Sequence, residues 1–86
     1  MVDIRRIDIV RDATSKMLET VPDGSGMRAE CEAAHRRFLK KSDVTPEEIE
    51  SVRSLIGSVI AFEEEAEKPR RFLLDDLRDC RWALSA

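Results

Sequence analysis

Three side-chain types are missing altogether: the 86-residue chain contains no Asn, no Gln and no Tyr. Without Asn or Gln there is no side chain to pair bidentately with adenine, and the usual amide donors of an oxyanion hole are gone. Sequence-specific DNA readout and hydrolytic chemistry both lose their commonest tools. Aromatic residues are few, with three Phe and one Trp, so the core must be built from aliphatic side chains. The two cysteines, Cys31 and Cys80, stand far apart and in no metal or redox spacing, which reads as two reduced, partly buried thiols. If the second and fourth helices are neighbours, the pair could cross-link on oxidation.

Long hydrophobic runs are absent as well. Arg5 and Arg6 precede an apolar stretch that Asp8 interrupts, so there is no signal-peptide pattern, and no segment nears the roughly 20 apolar residues of a membrane span. The expectation is a cytoplasmic protein with no membrane partner. Excess charge of one sign is lacking too. Charged residues make up 38% of the chain, yet the formal net is only -3, so any attraction to nucleic acid must be local.

What is present is helical periodicity. A chain of this size buries about two-thirds or less of its unfolded surface and is read as one domain, 1–86. Apolar residues at Ile4, Ile7, Val10, Thr14, Met17, Leu18 and Val21 predict a helix over 4–20. Val2-Asp3-Ile4 and Ile7-Asp8-Ile9 also alternate and are rich in β-branched residues, so a short strand is the alternative there. Pro22-Asp23-Gly24-Ser25-Gly26 breaks the chain. A second helix over 26–41 carries Met27, Cys31, Ala34 and Phe38 on one face, and a fourth over 70–84 carries Leu73, Leu77, Cys80 and Leu84.

The third helix, over 46–68, announces its own start. Thr45 caps, Pro46 suits the first helical position, Glu48 completes a capping box, and Val44 and Ile49 are placed to staple. Pro69 either ends this helix or kinks it into the next. Short connections between four helices predict an all-α fold, a small antiparallel four-helix bundle, or paired helical hairpins that complete their core by dimerising.

Candidate sites follow from the helix faces. On the third helix Ile49, Val52, Leu55, Ile56, Val59, Ile60 and Phe62 span about half the circumference, while Ser51, Ser54, Gly57, Ser58 and Ala61 hold much of the remainder. Small residues let a second helix approach closely. This face is therefore a candidate protein-binding surface, for another protein or a second copy in a homodimer, unless the chain's own helices cover it. Trp82 falls opposite the Leu73, Leu77, Leu84 stripe and joins that surface, because Trp is enriched at binding hot spots.

His35, Arg36, Arg37, Lys40 and Lys41 form the densest basic run. An antiparallel bundle would bring it beside Arg5, Arg6, Arg78 and Arg81, a candidate phosphate-binding end. The structural reading of the same run is complementation of a helix dipole, together with an ordinary Glu32 to Arg36 pair and counter-charges at Glu47, Glu48 and Glu50. A helix-turn-helix across the second and third helices would place only Ser, Glu and Ala at the reading positions. Glu32 and His35 have the Glu-x-x-His spacing of di-iron bundles, but one His supplies half a site at most, so no metal or cofactor is expected.

Glu63-Glu64-Glu65 and Glu67 oppose a helix C-terminus and need an offset, for which Arg70 and Arg71 are nearest. Asp75, Asp76 and Asp79 are matched with Arg71, Arg78 and Arg81. The resulting expectation is a small non-enzymatic helical regulator, adaptor or inhibitor acting through helix-face contacts and self-associating, with nucleic-acid binding through the basic end as the alternative.

Overall fold

Four antiparallel helices account for most of residues 5–85, the span that the computed structural model describes. They are α1 (Arg6–Thr20), α2 (Gly26–Leu39), α3 (Pro46–Glu64) and α4 (Arg71–Ser85). Ile7, Asp8 and Ile9 are helical, so the strand alternative fails for them; its remainder, residues 2–4, lies outside the described span. The predicted start of the first helix at Ile4 lies outside it too.

Each turn has a local cause. Gly24 takes a left-handed φ of +85°, which a residue with a Cβ adopts only at a cost. Ser25 then caps α2: its hydroxyl accepts from the Arg28 backbone N–H at 3.0 Å and donates to the Pro22 carbonyl at 3.0 Å. The Arg28 guanidinium reaches back to the Leu18 and Val21 carbonyls at 2.6 and 3.1 Å, satisfying acceptors that the end of α1 leaves open. At the start of α3 the capping box is complete, with Thr45 N–H donating to Glu48 at 3.0 Å and Glu48 N–H donating to Thr45 Oγ1 at 3.2 Å. Val44 and Ile49, the staple pair, are both buried.

Two helices end earlier than their sequence patterns suggest. α2 stops at Leu39 rather than Lys41, because Arg11 of α1 donates to the carbonyls of both Phe38 and Lys41 and so caps the α2 C-terminus from outside. α3 stops at Glu64 rather than Lys68. There the Ala66 N–H turns to the Glu63 carbonyl at 3.1 Å, and the Glu63 side chain folds back to receive Arg70. Further helical turns would carry Arg70 away from it. Pro69 thus sits in a turn between two helices and kinks neither.

Packing follows from the apolar stripes. Ile7, Val10, Ala13 and Met17 of α1, Cys31 and Phe38 of α2, Ile49, Val52, Ile56, Val59 and Ile60 of α3, and Leu74, Leu77, Cys80 and Leu84 of α4 form one core. Each large aliphatic side chain so buried contributes about 1.5–3 kcal/mol. α1 packs against all three other helices, and the α2–α3 pairing is the slightest. α2 and α4 make no contact. The condition for a Cys31–Cys80 cross-link, neighbouring second and fourth helices, is therefore not met, and both cysteines are buried free thiols.

Candidate protein-binding site

α3 presents two different faces, and only one of them is used by the fold. Ile49, Val52, Ile56, Val59, Ile60 and Glu63 point inward, while Ser51, Ser54, Ser58 and Ala61 are exposed. Gly57 is the exception among the small residues. The Arg81 guanidinium carbon lies 3.6 Å, and both its terminal nitrogens 3.8 Å, from where a Gly57 Cβ would stand. α4 therefore covers Gly57 alone of the five. Phe62 and Leu55, grouped by spacing with the core residues, are instead exposed and half-buried respectively; they flank the small-residue stripe and make it more apolar.

Trp82 is 77% exposed. It shares a cleft of about 340 Å³ with Arg53, Arg78, Arg81 and Ser85. Because Arg81 belongs both to this cleft and to the cover over Gly57, the Trp82 surface and the edge of the small-residue face meet across the α3–α4 seam. On the other side of α3, the slight α2–α3 pairing leaves a second groove of about 250 Å³. Phe38 and Val52 form its buried floor, and Ala33, Ala34, Ser51 and Leu55 its walls. Sequence reasoning missed this groove. Its signal was the Ala33-Ala34 pair, too small to fill the space beside Leu55.

Part of the basic run is engaged within the fold. His35 Nδ1 lies 2.9 Å from the Thr14 hydroxyl. A hydroxyl and an imidazole at this distance have the geometry of an activated nucleophile, but Thr14 is fully buried and its hydroxyl also sits 3.0 Å from the Val10 carbonyl. Arg37 pairs with Glu48 at 3.0 Å, and Lys41 hydrogen-bonds the same carboxylate. The Lys41 bond and the Thr45 backbone N–H hold the Glu48 carboxyl well below its ordinary range, at about 2. Arg36 and Lys40 make no ion pair among the described residues and are exposed. The expected company of Arg78 and Arg81 is not there, since α4 does not touch α2; Arg78 pairs with Glu64 at 3.3 Å and with Asp75 at 3.9 Å.

The acidic run is offset in a definite way. Glu63 is buried, and its carboxylate accepts from the Arg70 backbone N–H and Nε, both at 2.9 Å, and from Nη2 at 3.3 Å. These bonds lower its pKa against the opposing effect of burial. Arg70 also donates to the Thr20 carbonyl at 2.8 Å, tying the α3–α4 turn to the end of α1. Asp76 finds Lys16 of α1 at 3.6 Å rather than an arginine of its own helix, and Arg81 is spent on Gly57. Glu32 pairs with Arg28 at 3.0 Å, and among the described residues no group of three or more His, Cys, Asp and Glu is placed to hold a metal ion. Among the same residues no helix is long and apolar enough to cross a membrane.

No protein-family model, curated protein or solved structure matches the chain.

Proposed function

We propose that this chain is a small non-enzymatic binding protein, a regulator, adaptor or inhibitor that works in the cytoplasm by laying the outer face of α3 against a helix of another protein. The observation that carries this reading is that Ser51, Ser54, Ser58 and Ala61 stay exposed in a folded bundle. The stripe is uncharged in a chain that is 38% charged, its side chains are small enough for a second helix to approach closely, and exposed Phe62 and half-buried Leu55 flank it with apolar surface. Trp82 stands beside it as an aromatic anchor of the kind found at hot spots. The mechanism is occlusion or bridging, with apolar contacts at the centre and charges setting orientation.

The charges at the ends of the stripe bear on the partner. Glu47 and Glu50 precede it and Glu65 follows it on the same helix face, all exposed. A second α3 packed on this face, parallel or antiparallel, would set glutamates against glutamates at both ends. A foreign helix with a small or apolar middle and basic ends fits better than a homodimer. Replacing Ser54 and Ser58 with Arg tests the reading: partner capture should vanish while the helical circular-dichroism signal and melting temperature stay unchanged.

Nucleic-acid binding is the second reading, and it rests on Arg36 and Lys40, the cations of the basic run left without an ion pair among the described residues. A salt series separates the two, since phosphate contacts weaken steeply and linearly on a log–log plot.

A further inference from the structure

A different surface carries a more specific partner. Along the α1–α4 seam runs a groove of about 410 Å³ lined by Asp8, Ile9, Asp12, Asp79, Cys80 and Ala83. Its floor is apolar: Cys80 is buried, and Ile9 and Ala83 are half-buried. Its rim is acidic, with Asp8, Asp12 and Asp79 all exposed. Asp8 is shared between Arg5 at 3.6 Å and Arg11 at 3.4 Å. The Cys80 thiol donates to Asp12 at 3.9 Å, and the Asp12 charge is also felt by Lys16 one turn along α1. Among the described residues neither Asp12 nor Asp79 has an ion-pair partner. Further along the same face of α4, two turns from Asp79, Phe72 is 66% exposed.

We infer that this groove docks a basic amphipathic helix of another protein. One or two apolar side chains would rest on Ile9, Cys80 and Ala83, and lysines or arginines would reach Asp12 and Asp79. An apolar floor by itself selects no partner. The rim does, because Asp12 and Asp79, without an ion pair among the described residues, attract cations and repel nucleic acid and acidic peptides. A second copy is a poorer occupant. No cation lines the groove, so a two-fold contact would set Asp12 and Asp79 against acidic residues of the other copy. A contact through Arg36, Lys40, Lys68, Arg71 or Arg81, which make no ion pair among the described residues, would join the groove to a different part of the surface and propagate copy upon copy instead of closing. The surface is also separate from the α3 face. Trp82 and Ala83 are sequence neighbours, yet one is exposed beside Arg81 and the other lines this groove.

The test uses a designed amphipathic helix of Leu and Lys, labelled with fluorescein, and a Leu and Glu helix of the same pattern. Fluorescence anisotropy should show saturable one-to-one binding of the Lys peptide and much weaker binding of the Glu peptide. Backbone amide shifts in the unaltered protein should concentrate at Ile9, Cys80 and Ala83. The double variant Asp12→Asn with Asp79→Asn should bind the Lys peptide about tenfold more weakly, while Trp82→Ala and Glu65→Gln should bind it as the parent does. Equal binding of both peptides, unchanged affinity in a folded double variant, or shifts centred elsewhere would overturn the inference. So would light scattering that shows the parent forming oligomers which the double variant dissolves, because the occupant would then be a second copy.

Discussion

The Arg81 guanidinium stacks against Gly57, 3.6 Å from the position a β-carbon would take. That distance is ordinary van der Waals contact, so the glycine is not needed to make room. Gly in the middle of a helix costs about 0.5–1 kcal/mol relative to Ala. Gly57→Ala is therefore expected to stabilise the protein by up to about that amount, measured as a rise in the urea midpoint without a change in slope. A loss of stability would show that Arg81 cannot accommodate the methyl group.

Acid should unfold the protein through two named carboxylates. A carboxylate with a lower pKa in the folded state than in the unfolded chain stabilises the fold above the unfolded value, and that contribution is lost as pH falls through the folded value. For Glu48 the window runs from the ordinary 4.5 down to about 2. Glu63, held low by Arg70, adds to the loss on the same side. Melting temperatures from neutral pH downward should fall in this range, and Glu48→Gln should flatten the fall while lowering stability at neutral pH.

Glu63→Gln probes the turn that ends α3. It removes the charge that receives Arg70 while keeping the volume, and leaves buried polar groups short of a partner, at a cost of about 1–3 kcal/mol. Hydrogen exchange should quicken first at the end of α3 and the start of α4. Exchange that quickens evenly over all four helices would mean that the pair does not pin the turn.

The two thiols should ignore each other. Burial pushes the Cys31 thiol up, and burial together with the charges of Asp12, Asp76 and Asp79 pushes Cys80 up to about 11. Native protein at neutral pH should react slowly with a thiol reagent at both positions and quickly once denatured. Mild oxidation should yield no intramolecular disulfide by intact mass, because α2 and α4 do not meet.

Much of this fold was legible because its signals are local. Thr45, Pro46 and Glu48 mark the α3 start, and the Leu73, Leu77, Cys80, Leu84 stripe is buried throughout. The illegible parts depend on partners distant in sequence. Nothing near Lys41 says that Arg11 will cap α2, and the glutamates after Phe62 read as more helix until Glu63 is seen to turn back to Arg70. The candidate surface divided in the same way. Spacing picks out Ser54, Ser58 and Trp82, but only tertiary structure shows that Arg81 takes Gly57. Nor does spacing show that Glu48 consumes Arg37 and Lys41, or that Asp12 and Asp79 line a common groove.

Trp82→Ala should leave stability within about 0.5 kcal/mol of the parent, as expected for an exposed side chain. It should also weaken partner binding by about 2 kcal/mol, roughly thirtyfold. A large drop in the urea midpoint would instead mean that the indole supports the bundle.

The most direct measurement is capture of partners from the source cell with tagged parent protein and with the Ser54→Arg, Ser58→Arg variant, followed by hydrogen exchange on the recovered complex. The proposed function predicts a partner retained by the parent and lost by an equally folded variant, with new protection across residues 51–61. The same partner captured by both proteins, or protection that avoids α3, would contradict it.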